Sequence, residues 1–312
     1  MKAALLLAHG GPELLQYGDA PDPVAGPGEV VVDVYAASVN AADYKVRQGG
    51  YSKLSFPYIL GRDFSGVVSQ VGDGVTDLAL GDAVFGVNEQ GREGAYAEKI
   101  AIKAAIVAKK PAELSHEAAA AMGLSSLTAI WALEDTAKLQ RGETILIQGG
   151  AGGVAGFAIQ LAKHIGATVI TTASAGNADY VLKLGADQVI DYNTQDFTKL
   201  ARDCDVVFDT VGDEVQARSY DVLKPGGRLV FIAPPKPGFE PRKDVETLRP
   251  AVTRDRAHLE RMVALLEAGA VWPPTITRYR LEDAAAAHRV AESRHLQGKL
   301  VLTTAALQGG AK

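Results

Sequence analysis

Gln148-Gly149-Gly150-Ala151-Gly152-Gly153-Val154-Ala155-Gly156-Phe157-Ala158-Ile159-Gln160-Leu161-Ala162-Lys163 is the stretch that decides the fold. The apolar run Thr144-Ile145-Leu146-Ile147 leads into it, and Phe157, Ile159, Leu161 and Ile165 leave it on a helical pattern among small residues. Strand, glycine turn and helix in that order are the context of a dinucleotide fingerprint. Glycines let the backbone turn tightly and approach a pyrophosphate, and the unpaired N–H groups of the helix start attract its charge. Two registers are legible. Gly149-x-x-Gly152-x-x-Ala155 is favoured and Gly150-x-x-Gly153-x-x-Gly156 is the alternative. Gly149, Ala151, Gly152, Gly153 and Val154 are the expected cofactor contacts.

Beyond this stretch strands and helices alternate. Thr168–Thr172, Gln188–Ile190, Asp205–Asp209 and Arg228–Ile232 read as strands, with helices near 178–184 and 214–223. This rhythm predicts a parallel sheet covered on both faces. Before it, short β-like runs such as Glu29–Val34, Gly66–Val71 and Ala83–Val87 are broken by Gly, Pro and Asp and predict a small barrel-like domain. Ala118–Leu133 and Arg256–Ala268 read as helices, and Gly298–Thr303 as a closing strand. The fold class is α/β. Residues 1–117 and 256–312 are expected to form the β-rich domain and 118–255 the nucleotide-binding domain.

The chain has 312 residues, 47% of them hydrophobic and 22% charged, which suits two soluble domains. A net charge of −5 without long runs argues against nucleic acid and anionic membranes as partners. A single cysteine, Cys204, excludes an intrachain disulfide and a four-cysteine zinc site, and points to a reducing, cytoplasmic setting. Met1–Ala8 reads as a strand rather than a signal peptide, and no segment is apolar for long enough to span a bilayer.

The end of the second strand bears on the choice of cofactor. An NAD site usually carries an acid there for the ribose 2′-hydroxyl. Here Thr172-Ala173-Ser174-Ala175-Gly176-Asn177 has none, and the first acid along the chain is Asp179. Ser174 and Asn177 can donate to a 2′-phosphate, which favours NADPH (NADP+) over NADH.

Several motifs carry a resemblance, in order: Gly10-Gly11-Pro12-Glu13, Gly26-Pro27-Gly28-Glu29-Val30, Ser38-Val39-Asn40-Ala41-Ala42-Asp43-Tyr44-Lys45, Pro57–Gly66, the glycine turn, Leu184-Gly185-Ala186-Asp187 with Val189-Ile190-Asp191-Tyr192, Leu223–Arg228 and Gly298-Lys299. Over nearly its whole length the chain resembles the zinc-independent branch of the medium-chain dehydrogenase/reductase superfamily, in particular quinone oxidoreductases and enone or alkenal reductases. The resemblance implies a GroES-like catalytic domain, a doubly wound Rossmann domain, a catalytic cleft between them and a homodimer. The third fingerprint glycine of the family falls on Ala155, which is small enough for close helix–strand packing. The zinc ligands of the metal-dependent relatives fall on Asn40, on Arg62-Asp63 and near Met122, which do not make a zinc site.

Without a Lewis acid a simple ketone is a hard substrate, whereas hydride addition to an enone or quinone leaves an anion that needs only hydrogen-bond donors. The expected substrate is therefore a quinone or an α,β-unsaturated carbonyl. An enoyl thioester, or a non-catalytic NADPH-binding sensor, is the alternative. Related enoyl reductases place a tyrosine at Tyr51, making it the expected proton donor or else a wall of the pocket. Asn40 is expected to bind the carbonyl or the nicotinamide ribose, or to stabilise a turn, and Tyr44 is a weaker pocket candidate. Asp43 with Arg62-Asp63 is expected to form an ion pair beneath the site. On the cofactor side, Thr128 resembles a nicotinamide contact and Tyr192 an adenosine contact. Ile232 and Ala233 lie at a strand end where backbone can hold the carboxamide. Lys299 is read as a phosphate contact or a surface lysine. Cys204 and the six histidines are read as structural or surface residues.

Overall fold

A computed structural model describes residues 1–50, 54–293 and 296–306. In chain order the first elements are β1 (Lys2–Leu6), β2 (Leu15–Asp19), β3 (Glu29–Val39), α1 (Ala41–Arg47), β4 (Tyr58–Ile59), β5 (Asp63–Val71), β6 (Ala83–Val87), β7 (Lys99–Lys103), β8 (Val107–Lys109) and α2 (His116–Ile130). Then follow β9 (Thr144–Ile147), α3 (Gly153–Ile165), β10 (Thr168–Ala173), α4 (Ala178–Lys183), β11 (Gln188–Asp191), α5 (Phe197–Leu200), β12 (Cys204–Asp209), α6 (Asp213–Ser219), β13 (Leu223–Phe231) and β14 (Glu246–Leu248). The chain ends with α7 (Arg256–Glu267), β15 (Ile276–Arg280), α8 (Ala284–Glu292) and β16 (Lys299–Thr303).

These elements form two units, Met1–Leu124 with Arg254–Val263 and Pro273–Lys312, and Ser125–Thr253 with Ala264–Trp272. The first unit holds a seven-stranded sheet of order β15-β16-β3-β5-β6-β8, with β7 also on β3, and a three-stranded sheet β2-β1-β4. β3 is its spine. The valines at 30, 31, 32 and 34 are all fully buried, and β3 pairs antiparallel with β5, β7 and β16. Pairing with β16 brings the closing strand beside Ala36–Val39. The alanine-rich start of α2 packs closely there, with Ala120 and Ala121 against Ala36 and Val301.

The second unit is a six-stranded parallel sheet of order β11-β10-β9-β12-β13-β14. Ile145, Leu146 and Ile147 are all fully buried, as central strands covered on both faces require. The strand order reverses between β9 and β12, and such reversals open the crevice in which open α/β sheets bind ligands. The GroES-like and Rossmann architectures expected from the sequence are both present.

Two details differ from the sequence reading. The helix expected over 118–133 runs as α2 and then continues from Trp131 to Thr136 as a π-helix, with the Ala137 N–H donating to the Ala132 carbonyl at 2.8 Å. Residues 118–124, assigned above to the second domain, group with the first unit, and residues 264–272, assigned to the first, group with the second. Gln160 of α3 holds them there, its side-chain oxygen accepting from the Trp272 N–H at 2.8 Å.

Candidate active site

In the second unit the glycine turn follows β9 directly. Gly149 has φ +75°, a left-handed conformation that residues with a Cβ rarely adopt. Its N–H donates to Thr172 Oγ1 at 3.0 Å, and that hydroxyl donates to Gln148 Oε1 at 2.7 Å, so the turn is tied to β10. On the β12 side Thr210 Oγ1 donates to the Gln148 carbonyl at 2.8 Å. At Gly150 a Cβ would lie 2.3 Å from Thr171 Oγ1. At Gly152 it would meet nothing closer than the Gly149 carbonyl oxygen at 3.4 Å. Gly150 is therefore demanded by the fold, while Gly152 leaves an open approach. Gly152 is also the N-cap of α3, and no side chain caps that helix. The first N–H groups of an α-helix have no intrahelical partner, so Gly153, Val154 and Ala155 present donors and the positive end of the helix dipole. This cradle fits a pyrophosphate.

Most of the other residues expected to bind cofactor follow the C-terminal ends of strands in the same sheet. Ser174 and Asn177 come together after β10, Asn177 Nδ2 donating to Ser174 Oγ at 3.1 Å. Tyr192 follows β11 and is half exposed. Ile232 and Ala233 follow β13, the Ile232 N–H donating to the Asp209 carbonyl at 3.1 Å. Thr128 is buried in α2. One acid, Asp191, belongs to a motif quoted above but was not expected beside the cofactor strand. Asp191 ends β11 opposite Ala173, beside the acid-free end of β10. Its carboxylate accepts from the Asn193 N–H at 3.1 Å and from Thr194 Oγ1 at 3.0 Å, and these donors with the Ala175 N–H hold it ionised. Parallel pairing of the second and third strands was the signal that could have found it.

In the first unit Asn40 ends β3 and opens α1. Its N–H donates to Asp43 Oδ2 at 2.8 Å, its Nδ2 to Asp63 Oδ2 at 2.9 Å, and its Oδ1 accepts from Lys299 Nζ at 2.6 Å. Lys299, read from sequence as a surface or phosphate-binding residue, is only 4% exposed. Its Nζ donates to the Val39 carbonyl as well, at 3.0 Å. Burial lowers its pKa, while Asp63 and Asp43 oppose that shift. The Asp63 carboxylate further accepts from Ser38 Oγ and, at 3.0 Å, from the Leu124 N–H.

Asp43 is fully buried. Burial pushes its carboxyl up to about 6, against the pull of Arg62 and the Asn40 N–H. Tyr96 OH donates to Asp43 Oδ2 at 3.0 Å, and His288 Nε2 lies 3.3 Å from that hydroxyl. Arg47 Nε donates to His288 Nδ1 at 3.3 Å, which assigns the ring proton to Nε2. Burial holds the imidazole neutral, its pKa near 3. The ion pair expected among Asp43, Arg62 and Asp63 is a different one. Arg62 is bridged to Glu93 at 3.0 Å, and Tyr58 OH donates to the other Glu93 oxygen. Tyr44 is buried one turn into α1. Tyr51 lies outside the described residues. Cys204 is buried, and burial pushes its thiol up to about 12. Among the described residues no group of three or more His, Cys, Asp or Glu side chains is placed to hold a metal ion. No helix among them is long and apolar enough to cross a membrane.

Residues 26–112 match the family described as alcohol dehydrogenase GroES-like domain, and residues 184–302 the family described as zinc-binding dehydrogenase. The chain is 34% identical to the chloroplastic NADPH-dependent alkenal/one oxidoreductase of Arabidopsis thaliana, over 97% of this chain and 79% of that one. It is 38% identical to the 2-methylene-furan-3-one reductase of Solanum lycopersicum over 78% of this chain, and spans 63% of that protein's length. The structure of Escherichia coli quinone oxidoreductase complexed with NADPH superposes with a TM-score of 0.90 at 31% identity, covering 97% of this chain and all of that one. With both domain types in place, a dinucleotide cradle at the strand-order reversal and similarity of this extent, the chain belongs to the quinone oxidoreductase-like family of medium-chain dehydrogenases/reductases.

Proposed function

We propose that the chain is an NADPH-dependent, zinc-free oxidoreductase that reduces quinones and α,β-unsaturated carbonyls. The observation that carries this is the Gly149–Val154 cradle. It is an uncapped helix start at a topological switch point, open where Gly152 lacks a side chain. The NADPH-dependent relative and the NADPH-bound quinone oxidoreductase support the choice of cofactor. When bound, NADPH supplies a hydride.

The residues at the zinc-ligand positions do not fit a metal. Asn40 faces the Lys299 ammonium, Arg62 is a cation on Glu93, and Met122 is a buried thioether. Activation of a substrate carbonyl therefore falls to hydrogen-bond donors. Asn40 Nδ2 carries two hydrogens and commits one to Asp63, with Ser38 Oγ a distant 3.5 Å away. The second hydrogen is a donor for the oxyanion that forms when hydride reaches a conjugated carbon. Tyr51 is assigned the proton, with Tyr44 beside the pocket. Thr128, Ser174, Asn177, Tyr192, Ile232 and Ala233 are assigned to the cofactor. Catalysis is placed in the first unit, cofactor binding in the second, and the assembly as a homodimer in the cytoplasm.

The test is NADPH consumption with 1,4-benzoquinone, 9,10-phenanthrenequinone and a short enone. Turnover of any of them supports the reading. NADPH binding without turnover across such a panel would leave a sensor instead. A Tyr51→Phe variant with unchanged kcat would remove that residue as proton donor.

A further inference from the structure

The carboxamide of Asn40 lies between two buried charges. Lys299 Nζ is 2.6 Å from Oδ1, and Asp63 Oδ2 is 2.9 Å from Nδ2. Turning the amide over would set NH2 against the ammonium and C=O against the carboxylate, two repulsive contacts in place of two charge-assisted hydrogen bonds. Charge-assisted bonds are about twice as strong as neutral ones, so one orientation of the amide dominates. Among the described residues, Asn40 is the side chain that Lys299 Nζ bonds. Its second contact is the Val39 carbonyl, on the residue just before Asn40. The lysine enters from β16, whose register places Leu300 opposite Val39, and is thus held by the sheet itself. Asp63 is held in turn by Ser38 Oγ and the Leu124 N–H.

We propose that Lys299 is a positioning residue for the reduction, acting through Asn40: its ammonium locks the carboxamide so that Nδ2 presents its remaining N–H to the substrate oxygen. This rests on Asn40 being a substrate-binding residue, as proposed above. It replaces the cofactor-phosphate role that the sequence suggests for Lys299.

Lys299→Met removes the donor and keeps the length of the chain. Its kcat for quinone or enone falls about tenfold or more, the scale of a misplaced positioning group, while its Kd for NADPH stays within about twofold. In an Asn40→Ala background the same substitution changes kcat by less than about twofold, because coupled residues are not additive. Lys299→Gln, a neutral donor, retains more kcat than Lys299→Met. It also serves in the same double-mutant cycle where the methionine variant does not fold. A tenfold rise in the Kd for NADPH with kcat unchanged would overturn the proposal in favour of a phosphate contact. Full additivity with Asn40→Ala would overturn it too.

A readout independent of turnover is hydrogen exchange of the Asn40 side-chain amide, followed by NMR. Exchange quickens in Lys299→Met and is largely restored in Lys299→Gln; equal rates in all three proteins would refute the lock. If the wild type reduces no acceptor, the reductase reading fails on its own, and amide exchange still decides whether Lys299 holds Asn40.

Discussion

Two neighbouring glycines of the turn should respond oppositely to the same methyl group. At Gly150 the added Cβ would lie 2.3 Å from Thr171 Oγ1 and 3.1 Å from Ile159 Cδ1, and Thr171 Oγ1 is itself fixed by its 2.7 Å bond to the Ile147 carbonyl. Neither neighbour is a loose side-chain end, so Gly150→Ala should carry the cost of overpacking a tight core, about 1–3 kcal/mol. At Gly152 the backbone is extended (φ −74°), a region open to alanine, and the nearest atom is a carbonyl oxygen at 3.4 Å. Alanine gains about 0.4–1 kcal/mol by restricting the unfolded chain. It loses a comparable amount because it is a poorer N-cap than glycine, so stability should barely move. The methyl would instead occupy the approach to the helix start. Loss of one charge-assisted hydrogen bond is worth about 1.5–3 kcal/mol, and the Kd for NADPH should rise about tenfold or more. Urea unfolding and quenching of intrinsic fluorescence by NADPH measure the two effects separately. If Gly152→Ala binds NADPH as tightly as the wild type, the pyrophosphate does not lie over this turn. If Gly150→Ala unfolds like the wild type, the packing argument is wrong.

Other expectations concern the buried polar groups. His288 and His116 are held neutral by burial, with pKa values near 3 and 4 against an ordinary 6.5, so the unfolded chain takes up protons below 6.5 that the fold refuses. Asp43, raised to about 6, has the opposite sign and gains stability as pH falls from there toward 3.8. Asp209, also raised by burial, acts in the same sense as Asp43, so two histidines against these carboxyls leave a loss of at most about 1.4 kcal/mol per pH unit between about pH 6 and 4. Urea titrations at several pH values check it, and stability that rises as pH falls from 6 to 4 would refute the neutral histidines. Tyr96→Phe deletes the hydroxyl between Asp43 and His288, leaving His288 Nε2 without that partner and Asp43 Oδ2 with the Asn40 N–H. It should lower stability by about 1–3 kcal/mol, read as a drop in Tm, and an unchanged Tm would count against the network. Cys204, buried with its thiol near 12, should ignore a thiol reagent in the native protein and react once unfolded; reaction in the native state would show that β12 opens.

What the sequence discloses is what repeats or is local. Thr144–Ile147, the glycine turn and the face of α3 share one window, so period and composition suffice to place the cofactor half. The alternation after it implies the sheet, because parallel strands need crossovers. The substrate half is different in kind. Asn40 and Lys299 are 259 residues apart, and Arg62 and Glu93 are 31 apart; neither spacing follows a helix or strand period. Asp191 lies beside Ala173 only because β10 and β11 pair in parallel. From sequence, Asn40, Arg62 and Met122 say that zinc ligands are missing and nothing about what replaces them. Low-dielectric surroundings supply the missing rule, since a buried charge must be paired or hydrogen-bonded. Asp63 and Asp43 lie buried near the end of β3, so the fold has to bring cations and donors to them, and Lys299, Arg62, Tyr96 and Ser38 are what it brings. Asn40 is held by that balance of charge, which is why its orientation could not be read from its neighbours in the chain and can be tested by changing a residue on the closing strand.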